Sequence, residues 1–348
     1  MTDIRWECYP LLTYTPLMCA WLQIQAHLGL APNTIDAYGR ALEDYLRFCH
    51  HQSISVEAAT QEHVALYVHD LASRPHPHHN RIQALNSDRG LANATMQQRL
   101  TAIRLFYDYL VEEGLRPTNP VGRGRYTPGK ALPGTHERGL IPRYHKLPWI
   151  PSEEQWKAIL EATKAEVLRN RLMFAFAYDA ALRREEVCML MTSDIDPSHC
   201  TLRIRAETTK NRMERVIPYS EETSILYSAY LRERRLMSRN RGPLFLSESD
   251  RNLAHPISIW TWSKVVKGIA ERSGVQQFTT HTLRHLCLTD LARSGWELHE
   301  IATFAGHRSV ETTMLYIHLS ARDLSHKLNK GMQSIHRWRV AMLAEELQ

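Results

Sequence analysis

Five short patterns run in order through the second half of the chain. They carry side chains suited to holding an anion and attacking it. Leu182–Glu186 sets Arg183 and Glu186 three apart at a helix start. Thr208–Pro218 sets Lys210 in the turn between two short runs. His281 and Arg284 are again three apart, on one face of a helical turn. His307 follows Gly306, a residue suited to ending a helix, and Tyr316 lies nine residues further on. Each pattern alone has an ordinary explanation: a surface ion pair, a solvated turn lysine, a structural histidine, a core tyrosine. The weight lies in the set, its order and its spacing. Two arginines keep their charge and offer planar forks to anionic oxygens. A tyrosine becomes a nucleophile once its proton, normally held up to about pH 10, is removed.

The elements that must position these residues are legible in outline. In the first half, Ile35, Tyr38, Leu42, Tyr45, Leu46 and Cys49 recur at helical spacing, and Asn33 with Asp36 suggests a capped start. Gln61 to Leu71 reads as a shorter helix. A further helix begins near Asn93, with Met96, Leu100, Ile103, Phe106 and Leu110 on one face and Gly114 and Pro117 beyond its end. A helical bundle over about residues 12–118 is expected. The second half opens at Ser152, a cap residue followed by acids. Leu172 to Leu190 reads as helical, Thr201 to Ala206 alternates like a strand, and Arg215 to Pro218 is its expected hairpin partner. The rest is mainly helical. The expected fold class is therefore mainly α with a small β-sheet (α+β).

Composition narrows the class. The 348 residues suffice for about two domains. No stretch approaches the roughly 18 apolar residues of a membrane span, and the N-terminus lacks signal-peptide order, so a cytoplasmic protein with no membrane partner is expected. The six cysteines are widely spaced with no CxxC pair, which favours reduced thiols over disulfides or zinc. The His76-Pro77-His78-His79 tract reads as a solvated loop rather than a metal site. Net charge is +6. Its distribution says more: Arg123, Arg125, Lys130, Arg138, Arg143 and Lys146 face one acid, Glu137, in a stretch rich in Pro and Gly. Residues 119–150 are expected to form a basic linker, with Arg123, Arg125 and Lys130 placed to meet a phosphate backbone.

The five patterns resemble those of the tyrosine recombinases, the phage integrase family. That pattern runs roughly Gly-Leu-Arg-x-x-Glu, a hairpin lysine, His-x-Leu-Arg, Leu-Gly-His and then a tyrosine. Leu182 to Glu186, Lys210 with Arg215 to Pro218, His281 to His285, Gly306-His307 and Tyr316 match in turn, with Thr312 and Thr313 where the family often has Thr. "PNTIDAY" from Pro32 resembles the start of the family's core-binding domain. The likeness covers about residues 15–335, in the compact two-domain style of Xer and transposon recombinases. Three positions depart: Ala181 for Gly, Arg184 for an apolar residue, and Ala305 for Leu. None is a position that the resemblance makes catalytic.

The resemblance implies a helical core DNA-binding domain (12–118), a catalytic domain (151–335) and a C-terminal helical tail (324–348). It implies a site-specific recombinase or integrase that cleaves double-stranded DNA recombination sites and rejoins them as a homotetramer. Tyr316 attacks, leaving a 3′-phosphotyrosyl link and a free 5′ hydroxyl. Arg183 and Arg284 hold the phosphate, a role metals fill in many phosphoryl-transfer enzymes. The resemblance makes His281 the base, Lys210 the acid, His307 a phosphate contact, and Glu186 a support for Arg183 or a histidine. No clustered carboxylates of the two-metal kind are visible, so no metal, ATP or other cofactor is expected. Two rivals remain. A type IB topoisomerase shares the chemistry but reseals the same strand; His281 and the Thr-rich approach to Tyr316 favour a recombinase. The other is a catalytically silent DNA-binding protein of the same fold, which the intact set argues against.

The tail carries an apolar stripe: Leu324, Leu328, Met332, Ile335, Trp338 and Met342. It is expected to pack either on its own catalytic domain or on a neighbouring protomer.

Overall fold

The computed structural model describes residues 3–74, 90–122, 141, 147–209 and 211–319, with side chains up to Tyr316. Lys210, the basic residues Arg123, Arg125 and Lys130, the His76–His79 tract and the tail stripe lie outside the described residues. The chain divides into two compact units, Met1–His145 and Lys146–Gln348.

Among the described residues the first unit has four α-helices: α1 (Pro16–His27), α2 (Pro32–His51), α3 (Gln61–Ser73) and α4 (Asn93–Glu112). Pro at the first turn suits α1 and α2, since the missing N–H would be unpartnered there anyway. The cap expected at Asn33 is not used: α2 starts one residue earlier, behind Ala31, with no side-chain cap. Asp36 instead accepts from Tyr9, Arg5 and Arg40. Those contacts tie the N-terminal segment to α2, so the core reaches back to Ile4. Gly39 makes this possible, because a Cβ there would stand 2.7 Å from the Tyr9 ring. Val121 and Ile141, within the segment read as a linker, are buried in this same core.

The second unit is mainly helical with one small sheet, as the patterning suggested. Its helices are α5 (Glu153–Lys164), α6 (Leu168–Asp179) and α7 (Arg184–Cys188). The strands β1 (Ile195–Asp196), β2 (Thr201–Ile204) and β3 (Arg215–Pro218) follow. The chain then continues through α8 (Glu221–Met237), α9 (Ile259–Arg272), α10 (Thr280–Arg293), α11 (Leu298–Ala305) and α12 (Val310–Leu319). Ser152 caps α5 as expected, in a reciprocal box with Gln155. The strands pair antiparallel in the order β1-β2-β3, with Leu202 opposite Ile217 and Ile204 opposite Arg215. Strand alternation buries Leu202, Ile204 and Ile217 and leaves Val216 in solvent. It also puts Arg215 on the inner side with Ile217.

The helical region read over Leu172–Leu190 holds parts of two helices. They break at Ala181, which has a φ of +47°. An L residue there is strained by roughly 1–2 kcal/mol. That conformation is one that glycine adopts without strain. The break turns the chain so that Arg183 stands at the head of α7. Among the described residues no helix is long and apolar enough to cross a membrane.

Candidate active site

The site is organised around the C-terminal end of α11. Gly306 adopts a left-handed φ of +64°, and a Schellman turn results: His307 N–H donates to Ala302 O and Gly306 N–H to Thr303 O. Two further carbonyls at this end, those of Ala305 and Gly306, still need donors. Arg284, on α10, gives one Nη2 bond to Ala305 O at 2.6 Å. Arg183 gives a longer Nη2 bond to Gly306 O at 3.4 Å, and Asn211, one residue past Lys210, donates to the same oxygen at 3.2 Å. The two guanidiniums thus converge on consecutive peptides, at the negative end of a helix. Arg284 also donates through Nη1 to Ala181 O at 2.5 Å. Two of the three sequence departures, Ala181 and Ala305, therefore support a site arginine through their main chain.

Glu186 fixes the other arginine. Its side chain is fully buried and receives Arg183 Nη1 at 2.9 Å and the Arg183 backbone N–H at 2.9 Å. Arg215, from β3, grips both of its oxygens at 3.1 and 2.7 Å. Burial alone would push the Glu186 carboxyl up. The hydrogen bond and charge of Arg215, with those of Arg183, outweigh burial and hold it below the usual carboxylate range. Gly306 leaves room for this arrangement, since a Cβ there would press on Arg215 at 3.0 Å. Of the alternatives expected for Glu186, Arg183 or a histidine, the structure has Arg183, and Arg215 joins it.

Arg284 is almost wholly buried. Burial first, and Arg183 second, weaken its hold on the proton to about 10, which still leaves it charged at neutral pH. Its Nη2 reaches His307 Nε2 at 3.0 Å. A guanidinium only donates, so Nε2 is the acceptor and Nδ1 carries the proton toward Thr313 Oγ1 at 2.8 Å. His307 is neutral: burial, then Arg284 and Arg183, bring it down to about 3.

Tyr316 is 3 % exposed, packed with Ala181, Leu288, Ile301 and Ala305. Its ring stacks on His307 at 6.0 Å and 6°. Its hydroxyl lies 3.0 Å from His285 Nδ1. Burial raises the phenol above its ordinary value, while the charges of Arg284 and Arg183 act against that rise. His281 stands one turn before His285 on α10, exposed, with ring centres 6.3 Å apart.

Arg183, Glu186, Arg284, His307 and Tyr316 are therefore brought together within one unit. Lys210 belongs to the β2–β3 connection, whose next residue, Asn211, touches the site. Sequence reading assigned no role to His285, Arg215, Asn211 or Thr313. His285 adjoins Arg284 and Arg215 opens the hairpin partner strand, so position alone marked them without a chemical reason. The six cysteines are free, and Cys287, beside the site, is driven up to about 12 by burial, so it stays a thiol.

The buried imidazoles predict an acid limit. Burial, then His281 and Arg284, bring His285 down to about 4. An unfolded histidine takes its proton near 6.5. As pH falls from about 6.5 toward 4, the unfolded chain binds protons that native His285 and His307 refuse, so stability falls. Asp290, raised by burial, offsets part of this at the lower end. Melting followed by circular dichroism from pH 7.5 to 5 is expected to show a steady decline, shallower in His307→Asn. A flat profile would mean that both imidazoles protonate freely in the fold.

The chain is similar to known proteins over most of its length. Residues 151–322 match the model described as the phage integrase family, and residues 21–114 match the phage integrase N-terminal SAM-like domain. Tyrosine recombinase XerD of Oceanobacillus iheyensis is 26 % identical over 306 residues, covering 85 % of this chain and 91 % of that protein. Transposase A from transposon Tn554 of Staphylococcus aureus is 27 % identical over 322 residues, covering 88 % of each. Among solved structures, XerH site-specific recombinase bound to a palindromic difH substrate aligns with a TM-score of 0.64 at 19 % identity. The alignment covers 85 % of this chain and 79 % of that one. A lambda integrase dimer bound to a core site gives 0.61 at 15 %, covering 86 % and 94 %.

Proposed function

The chain belongs to the phage integrase family of tyrosine recombinases, and from that premise we propose that it is a site-specific DNA recombinase in which Tyr316 is the nucleophile. The observation that carries the assignment is the convergence of Arg183 and Arg284 on consecutive carbonyls beside a buried tyrosine hydroxyl. A phosphodiester is an anion, and attack on it builds charge on the non-bridging oxygens. Arg183 and Arg284 would hold those oxygens by charge-assisted bonds, in a site already ordered before DNA arrives. Tyr316 Oη bonds to phosphorus and the P–O5′ bond breaks. The 3′-phosphotyrosyl link keeps the energy of the broken bond. A 5′ hydroxyl from a partner duplex reverses the step and reseals the strand, so neither ATP nor hydrolysis is needed.

Lys210 would give its proton to the leaving 5′ oxygen, and Asn211 bonding at Gly306 is the support for placing it there. His307, held neutral between Arg284 and Thr313, would donate to the phosphate only after exchanging one of those partners. Arg123, Arg125 and Lys130 would lie along the phosphate backbone. On this reading the protein works in the cytoplasm, as a homotetramer on paired double-stranded sites. The tail stripe then packs within the protomer or on its neighbour.

The test is covalent capture. Wild-type protein is incubated with sheared DNA of its own genome, denatured, and the adducts are sequenced. Enrichment of one short inverted sequence is expected, and two plasmid copies of it should exchange flanks. Adducts scattered without sequence preference, with relaxation of supercoiled plasmid lacking any site, would make the protein a topoisomerase instead.

A further inference from the structure

Resting on the assignment of Tyr316 as nucleophile, we propose that His285 is the catalytic base that receives the Tyr316 proton, in place of His281. Three observations support it. The Tyr316 hydroxyl lies 3.0 Å from His285 Nδ1, with the rings 5.8 Å apart. The charges of Arg284 and Arg183 favour the phenolate over the phenol. In the tautomer that carries the ring proton on Nε2, His285 Nδ1 accepts from the Tyr316 hydroxyl. His281, by contrast, is exposed, a helical turn back, and neighbours His285 rather than the nucleophile.

The surrounding charges make this base conditional. Facing it are His281 and Arg284 on its own helix, Tyr316 on α12 and His307 from the turn before α12. Arg183, Glu186 and Arg215 lie beyond Arg284. The net field is positive, so without DNA His285 is a weak base and the proton stays on the phenol. A phosphodiester monoanion between Arg183 and Arg284 cancels much of that field, and His285 becomes a better acceptor as the substrate arrives. In the step itself the Oη–H bond breaks and its proton passes to Nδ1, giving an imidazolium. The Oη–P bond forms, the P–O5′ bond breaks, and the 5′ oxygen leaves with a proton from Lys210. Religation returns the His285 proton to Oη and restores Lys210 from the incoming 5′ hydroxyl.

The test uses single-turnover cleavage of a nicked duplex carrying the captured sequence, with full-length protein. His285→Asn keeps an oxygen acceptor near the Nδ1 position but cannot take a proton at working pH, so it guards against simple loss of fold. It should bind DNA as wild type does and cleave about 10²-fold more slowly at neutral pH, the usual range for a lost base. The deficit should shrink toward pH 9.5 as hydroxide takes over. A 5′-bridging phosphorothiolate, whose sulfur leaves without a proton, should rescue Lys210→Ala and leave His285→Asn slow. Cleavage by His285→Asn within about threefold of wild type would overturn the proposal, as would rescue by the sulfur substrate. So would a deficit that is constant with pH, or one that shrinks with pH in His281→Asn instead. Loss of the adduct in Tyr316→Phe is the accompanying control: if it survives, the nucleophile assignment fails, independently of His285.

Discussion

Tyr316→Phe is expected to bind DNA with unchanged affinity and to form no covalent adduct at all. The packing predicts a clean result. The ring that stacks on His307 and fills the cluster of Ala181, Leu288, Ile301 and Ala305 is retained. Only the hydroxyl goes, and with it the partner of His285 Nδ1. Losing one buried hydrogen bond costs about 1 kcal/mol, too little to unfold a domain. A denaturing gel of a nicked substrate reads the outcome. A surviving adduct would send the search to upstream tyrosines, since none follows Tyr316.

Arg284→Lys should cut single-turnover cleavage by about 10²–10³-fold, the usual loss for one oxyanion donor, or more. A lysine keeps the charge but is a point donor on a flexible stem. Arg284 at once reaches Ala181 O, Ala305 O and His307 Nε2. No single ammonium spans those three and a phosphate. The variant leaves buried carbonyls short of donors, so its melting temperature should also fall. DNA affinity, which rests mainly on many phosphate contacts elsewhere, should change little. Cleavage near the wild-type rate would remove Arg284 from the clamp.

Much of this was legible before any coordinates. Period-3.6 apolar spacing located α2 and α4, Gln61 to Leu71 was read as the shorter helix between them, and Ser152 located the start of α5, because burial of one helix face and satisfaction of end groups leave marks in residue type. The β2–β3 hairpin was legible from alternation. Asn33 misled, since a capping residue inside a helix looks the same as one at its head until the chain before it is placed; Ala31 and Pro32 start α2 instead. The break at Ala181 was hidden because alanine is a strong helix former, and only its φ reveals the turn. The set of Arg183, Glu186, Lys210, His281, Arg284, His307 and Tyr316 stood out by its order and spacing, and the family resemblance implied its roles. The partnership of Glu186 with Arg215 did not stand out, because 29 residues separate them and only strand pairing brings them together.

The peptide oxygens that seat Arg284 have a consequence for how such a site is inherited. Alanines 181 and 305 contribute atoms that every amino acid possesses, so mutation cannot delete the acceptors, only displace them. Selection at these two places acts on volume and torsion: both are fully enclosed, and the first sits at positive φ. A codon scan would therefore score Arg284 as intolerant while its two supports looked like ordinary small-residue positions. Correlated-change statistics would find no partner for it at either of these two places. A lineage can drift from glycine to alanine beside its most demanding arginine, as this one differs from the family pattern, and leave the cradle chemically intact.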